Sequence, residues 1–387
     1  MNRLHKVHYR AIWKSRTLLG KLQLIFCLLL WPALMLPRIL YSIKHNAARV
    51  SKISGKSALR QFCELYCLTA RFGFRPDVYY KMELYLPERA ARAGGFVNRN
   101  ATKDSIYRLL KPSDRRWSPL TDKVTFATYC LEHGISVAPI LASLRDGRVD
   151  GFFAGLPKKD IFVKRTRGRG GVKAELWRWE NGTYRNKEGE ALDEQALVNR
   201  FIERSRAEPY LIQERLINDD RLKDLAQGAL ATVRLVSALN EVGQPEPIRA
   251  IFRMPSKSDS IVDNFHAGGI AANVDLGSGK LGPATDMGLK RSLGWVDVHP
   301  ISNAPITGRT LPEWPEMLKA VLDAHKEFAD RAVIGWDVAL TDQGIVIVEG
   351  NAASDTDIIQ RCCRAPLSDS RYPELVLWHL KQLGRLY

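Results

Sequence analysis

The sequence predicts a mixed α/β body of the α+β kind, preceded by a basic, membrane-affine N-terminal segment. Three observations carry this expectation. Helical and strand patterns interleave after residue 55, the middle of the chain has hairpin chemistry, and the excess charge is gathered at one end. With 387 residues, 45% hydrophobic and 26% charged, the chain can bury an ordinary core and is long enough for more than one domain. That composition excludes disorder, collagen and coiled coil as descriptions of the whole.

The net charge is +16, yet 12 of the 58 Lys/Arg residues lie between Met1 and Cys63, where no Asp or Glu occurs. The remainder holds 46 basic against 42 acidic residues. A body so near neutrality lacks the field that a phosphodiester backbone calls for, so no nucleic-acid partner is expected. The six cysteines, at 27, 63, 67, 130, 362 and 363, form no CxxC pair. They read as reduced, packed thiols rather than a disulfide scaffold or a zinc module.

Leu22 to Pro37 is uncharged and apolar, with Trp13, Trp31 and Tyr41 where interfacial aromatics are common. Its 16 residues fall short of the roughly 20 that a spanning helix needs, and Pro32 and Pro37 interrupt it. Six Lys/Arg precede it and six follow it up to Arg60, so the positive-inside rule sets no orientation. The pattern predicts a segment, residues 13–41, that dips into the cytoplasmic leaflet and returns, held by anionic lipid. A cleaved signal peptide and a buried amphipathic helix are the alternatives.

The elements of the body follow in order. Ser57 to Ala70 has helical spacing, and residues 87–118 read as irregular chain with one short helix over Ile106 to Lys111. Thr121 or Asp122 caps a helix that His133-Gly134 ends, and Ser136 to Ala142 reads as a strand. Asp160 to Lys164 is a short strand, and Ala174 to Trp179 pairs with Tyr184 to Lys187 around Asn181-Gly182. A helix over Leu192 to Ser205 precedes strands at Tyr210 to Gln213, Ala231 to Leu239 and Pro247 to Met254. Pro312 to Asp330 has the best amphipathic pattern in the chain.

Two stretches carry chemistry. In Val163 to Lys173, Lys164 ends a strand and Gly168, Gly170 and Gly171 follow among cations, as a phosphate-cradling loop would require; no Walker motif or dinucleotide fingerprint is present. In Ala332 to Asp357, two antiparallel strands, Ile334 to Leu340 and Ile345 to Glu349, join through Asp342-Gln343-Gly344 as a three-residue loop. That register sets Asp337 opposite Glu349 on one face, with Asn351 two residues on. Carboxylates so placed repel and lose solvation unless a cation lies between them or one is protonated. Oxygen-only ligands on an open site suit Mg2+ with nucleotide phosphates, and a solvated surface hairpin is the plainer alternative. Ser354 reads as the cap of the next helix, with Asp355 and Asp357 in its first turn. Asn264 and His266 read as lining a cleft or as a glycine turn with a solvated His. His299, His325 and Cys362-Cys363 read as structural, and Arg361 and Arg364 as solvated charge, with the holding of an anionic acceptor as the alternative.

In order and spacing, the strand lysine with its Gly-rich loop, Ile212-Gln213-Glu214-Arg215-Leu216, Thr232-Val233-Arg234 and Asp337…Glu349-Gly350-Asn351 resemble the ATP-grasp superfamily. More narrowly they resemble the sugar-transfer-associated family, related to glutamate-ligase-type enzymes and met near polysaccharide and capsule genes. The resemblance spans about residues 100 to 380. It implies two α+β subdomains clasping ATP, at 151–230 and 231–387, behind a helical region at 57–150 and the basic segment at 1–56. It further implies Lys123 and Lys164 on phosphates, Gly168, Gly170 and Gly171 in the closing loop, and Gln213, Glu214 and Leu216 at adenine. Asp220 falls at the ribose, Arg234 at the γ-phosphate, and Asp337, Glu349 and Asn351 at Mg2+ or Mn2+. Gln213-Glu214 stands where many members have two glutamates, and the loop is unusually rich in Arg. The implied activity joins a small-molecule carboxylate to an amine or saccharide-linked acceptor through an acyl-phosphate, in a membrane-associated enzyme whose catalytic domain faces the cytoplasm. A phosphoryl transferase and a membrane-bound nucleotide-binding protein without turnover are the alternatives.

Overall fold

A computed structural model describes residues 3–111, 118–153, 155–168, 174–257, 265, 268–289 and 292–386. Its centre is two seven-stranded antiparallel sheets, consecutive in sequence. The first takes β1 (Ile140–Arg145), β2 (Arg148–Gly151), β3 (Ile161–Arg165), β4 (Glu175–Glu180), β5 (Thr183–Arg185), β6 (Ala191–Leu192) and β7 (Tyr210–Glu214) in the order β2-β1-β7-β3-β4-β5-β6. The second takes β8 (Thr232–Leu239), β9 (Pro245–Met254), β10 (Ile270–Val274), β11 (Leu281–Thr285), β12 (Trp295–Val296), β13 (Val333–Thr341) and β14 (Gly344–Asn351) in the order β12-β11-β10-β9-β8-β13-β14.

Alternation decides what each face does. In the first sheet Ile161, Val163, Ile212 and Tyr210 point to a core with Leu197, Val198 and Phe201 of the helix Glu194–Ser205. Phe162 and Lys164 therefore face the other way, together with Leu211 and Gln213, their cross-strand partners. In the second sheet Val233, Leu235, Ile334, Trp336, Val338 and Leu340 pack on the helix Trp314–Glu327. Arg234, Asp337 and Glu349 therefore share the opposite face, which the helices Thr356–Cys362 and Tyr372–Gln382 cover farther along.

The Asn181-Gly182 hairpin forms as expected, both residues at positive φ and Trp179 opposite Tyr184. The strand expected at Ser136 to Ala142 begins instead at Ile140. Residues before it make the bridge of Val137 to Ile347, and Pro139, which accepts from the Glu214 amide, has no N–H to give a ladder. Residues 87–111 form several short helical turns rather than one. His325 is buried between Ser237 Oγ and the Arg331 carbonyl, and His299 on the Pro255 carbonyl, so both are structural.

The N-terminal region departs furthest from expectation. Residues Leu18–Ser54 form one helical run of 37 residues, capped by Thr17. It bends by 50° between Leu18–Leu29 and Trp31–Ser54. Pro32 sits at this break, where its missing N–H and its ring disrupt the preceding turn. No single helix among the described residues is long and apolar enough to cross a membrane, though the bent pair passes by length and composition. After Pro37 the chain continues into the body, with Met35, Ile39 and Val50 buried against Leu65, Tyr79, Tyr80 and Tyr85.

Candidate active site

Asp337 faces Glu349 across the β13–β14 pair, as expected, but by another route. The loop has two residues, Asp342 and Gln343, because Gly344 (φ 102°) already pairs with Thr341. That turn sets a register one residue away from the expected one. A bulge that skips Val348 restores it, so that Asp337 meets Glu349 and Gly335 meets Asn351.

The two carboxylates are balanced differently. Asp337 is 5% exposed and also sits opposite Arg234 on β8. Arg234 grips it through both Nε and Nη2, the latter 2.8 Å from Oδ2, and Arg253 Nη2 stands 3.2 Å from Oδ1. Burial alone would raise this carboxyl's pKa, but the two guanidinium charges and their hydrogen bonds override it and hold it below the ordinary value. Sequence offered two ways to relieve the pair, a cation or a proton; the structure shows a third, paired arginines. Arg253 was not among the sequence candidates. Its signal was a second arginine four residues after Arg249, within the apolar run Ile248 to Met254.

Glu349 is a third exposed and has its cations across the cleft. Lys123 Nζ lies 3.8 Å from Oε1 and donates to the Gly168 carbonyl at 3.2 Å. Lys123 opens the helix Lys123–Glu132, whose N-cap Asp122 accepts from the Val124 and Thr125 amides. The Lys123 backbone amide binds the Thr166 carbonyl just beyond β3, which fixes this helix to the Gly-rich loop. Gly350 allows the approach from the other side: a Cβ there would stand 2.6 Å from Leu120 and 3.2 Å from Phe126. Lys164 completes the group. Burial lowers its pKa to about 8, with Lys123 adding to the fall and the charges of Glu349 and Asp337 opposing it. Lys164 lies on the same face of its sheet as Gln213, and the charges it feels are those of Glu349, Lys123 and Asp337.

The structure thus gathers Lys123, Lys164, Gly168, Arg234, Asp337, Glu349 and Asn351 around one cleft. Gln213 is buried on the Lys164 face, while alternation turns Glu214 to the opposite face. Leu216 and Asp220 lie in the connection between the sheets, which Asn218 fastens to the Ala231 and Leu340 carbonyls; Asp220 is exposed at the start of a short turn. Among the described residues no hydrogen bond or ion pair ties Leu216 or Asp220 to the charged group. Gly170, Gly171, Asn264 and His266 lie outside the described residues.

Downstream of Asn351, two expectations need correction. Asp355, not Ser354, caps the helix Thr356–Cys362, its carboxylate accepting from the Asp357 amide. Arg361 is 3% exposed rather than solvated, donating to the Asp286 and Lys81 carbonyls and to Thr285 Oγ1. Ser354 instead sits over Gly335 beside the Arg234 side chain, where a Cβ on Gly335 would collide with it. Ser354 Oγ and Asn351 Nδ2 are buried without a hydrogen-bond partner among the described residues. Polar groups in that state cost about 1–3 kcal/mol each and fit a wall that a ligand completes.

The donor set also fits an oxygen-seeking divalent cation. Asp337, Glu349 and Asn351 lie on one face of adjacent strands, among the described residues Glu349 is held by no nearer cation than Lys123, and these three offer carboxylate and amide oxygens. No group of three His, Cys, Asp or Glu side chains gathers as a metal cluster among the described residues.

A family model described as sugar-transfer associated ATP-grasp matches residues 106–368. Among solved structures, D-alanyl-alanine synthetase A from Vibrio cholerae O1 biovar eltor str. N16961 is 14% identical, with 68% of this chain and 65% of that chain covered and a TM-score of 0.38. N5-carboxyaminoimidazole ribonucleotide synthetase from Thermotoga maritima is 13% identical over 70% of this chain and 57% of that one, with a TM-score of 0.32. D-alanine–D-alanine ligase from Bacillus anthracis is 11% identical over 68% and 67%, with a TM-score of 0.33. The match spans 65% of the length of the first of these proteins. A search of curated proteins gives no match.

Proposed function

The chain belongs to the sugar-transfer associated ATP-grasp family, and from that premise we propose that it is an ATP-dependent carboxylate–amine ligase of cell-envelope or exopolysaccharide assembly, with its catalytic body on the cytoplasmic side of a membrane. The observation that supports this reading most is a meeting of charges from separate elements: Lys164 on the first sheet and Lys123 at the start of its helix, set against Asp337, Glu349 and Arg234 of the second sheet. Fixed cations facing fixed carboxylates suit a polyphosphate held between them, with a divalent ion shared by phosphate and carboxylate oxygens.

Asp337, Glu349 and Asn351 would hold Mg2+ or Mn2+, which neutralises phosphate charge when bound. Lys123 and Lys164 supply point charges to phosphate oxygens, and Gly168 starts the loop that would cover them. Arg234, planar and already fixed by Asp337, is oriented to steady a transferring phosphoryl group. A carboxylate oxygen bonds to the γ-phosphorus as the bond to the ADP oxygen breaks. The amine then bonds to the acyl carbon, the phosphate leaves with its oxygen, and the nitrogen gives up a proton.

An ADP-release screen of carboxylates against amines, run beside Asp337→Asn, tests this reading. ADP appearing only when both substrate classes are present, together with an amide product, is the expected outcome. A phosphorylated product without amide would identify a phosphoryl transferase, and nucleotide binding without ADP across the panel would identify a binding protein.

A further inference from the structure

We propose that residues 13–34 form a wedge lying in one leaflet of an anionic bilayer, bolted to the wall of the catalytic cleft so that the cleft keeps a fixed bearing on the membrane. The two parts of the bent helix have opposite surroundings. After Leu34 one face of it is core, with Met35 7% exposed and Ile39 and Val50 fully buried, while Leu40 and Tyr41 stay exposed on the other. Before that it is bare, with Leu18 75%, Leu19 79%, Phe26 62% and Leu29 75% exposed. Five or more large apolar side chains on one unpartnered stretch exceed what a monomer's surface ordinarily shows.

Charge selects the occupant. Lys14, Arg16, Lys21, Arg38 and Lys44 flank the stretch, and no acidic residue occurs before Glu64. A second copy would bring the same unrelieved positive charge against it, whereas an anionic lipid surface supplies both hydrocarbon and countercharge. Length selects the mode. The 17 residues from Leu18 to Leu34, with Trp31 already packed on the core, reach about 25 Å as helix, short of the roughly 30 Å hydrocarbon core, and one face of the helix beyond is committed to the protein interior.

The bolt is a chain of specific contacts. Gln61 Nε2 donates to the Ala47 and Lys56 carbonyls, and Tyr80 donates to Gln61 Oε1 at 3.2 Å. Arg49 Nη2 donates to the Gly288 carbonyl at 2.7 Å. At the end of the helix Pro76–Lys81, Lys81 Nζ lies 3.7 Å from Asp357, and the Lys81 carbonyl accepts from Arg361. Asp357 and Arg361 belong to the helix that follows the candidate cation-binding strand. The inference deepens the membrane placement within the proposed function and implies an acceptor carried on an amphiphile, its polar head reaching the cleft at the lipid surface.

The full-length protein is sedimented with vesicles of phosphatidylglycerol and phosphatidylcholine, and with phosphatidylcholine alone, at low and high salt. Binding is read without turnover, so its failure is distinct from failure of the ligase reading. Expected are strong binding to the anionic vesicles that weakens with salt, at least tenfold loss in Leu19→Asp/Phe26→Asp with an unchanged unfolding midpoint, and wild-type binding by the distant control Val242→Asp. An N-terminal epitope tag on bound protein stays open to antibody in sealed vesicles. Indifference to lipid charge, equal binding by the double variant, a protected tag, or concentration-dependent dimerisation lost in the double variant would each overturn the proposal.

Discussion

The two walls of the cleft solve one electrostatic problem in different ways. Asp337 and Glu349 are cross-strand neighbours, yet Asp337 is neutralised inside its own sheet by Arg234 and Arg253, while among the described residues the ion pair of Glu349 comes from outside that sheet, on Lys123, with the charge of Lys164 adding to it. A carboxylate paired within its sheet is set by folding. One balanced from the other wall answers to whatever enters between the walls. The first supports the architecture and the second senses the ligand, although both belong to one donor set.

Substitutions can break that contrast. Asp337→Asn leaves two arginines without their countercharge, so unfolding in urea should show a loss of about 3 kcal/mol, and ADP formation should fall on the order of 10³-fold. Glu349→Gln, in the partly exposed position, should change stability by less than about 1 kcal/mol while lowering ADP formation about 100-fold. If the two variants lost equal stability, the distinction between the walls would be wrong. Gly350→Ala attacks the approach itself: its Cβ would meet Leu120 at 2.6 Å, moving Lys123 away from Glu349. Overpacking of this kind costs about 1–3 kcal/mol, and nucleotide affinity measured by calorimetry should weaken about tenfold.

The smallest effect concerns acid alone. Burial raises Asp357 to about 6 from its ordinary 3.8, with Asp355 and Asp77 adding to the rise and Lys81 opposing it. The folded state therefore holds a proton that the unfolded state releases between about pH 4 and 6, and stability falls as pH rises through that window. Asp357→Asn should gain about 1–3 kcal/mol at pH 7 and nothing near pH 4 in urea unfolding. A constant difference at both pH values would assign the effect to packing.

Much of this was legible in the chain because it rests on local alternation and spacing. The facing of Asp337 and Glu349, the Asp122 cap and the Asn181-Gly182 hairpin follow from patterns a few residues long. The bulge at Val348 left no pattern of its own, and the expected three-residue loop reached the right pairing through a different turn. Arg253 reaches Asp337 because β8 lies between β9 and β13, a matter of strand order that no local pattern states. The burial of Arg361 and the Lys81–Asp357 contact likewise join segments far apart in sequence, so a charged helix read alone looks solvated.

The central claim is that Lys164 of the first sheet and Lys123 beside its Gly-rich loop, together with the carboxylates of the second sheet, hold one nucleotide between them. Calorimetric titration of a non-hydrolysable ATP analogue with Mg2+ into wild type and Lys164→Met tests it most directly. The account predicts saturable, Mg2+-dependent binding by wild type and a loss of about 100-fold, near 2.7 kcal/mol, in the variant, whose fold should be no less stable because a desolvated charge has gone. Equal affinity in the two proteins would contradict it.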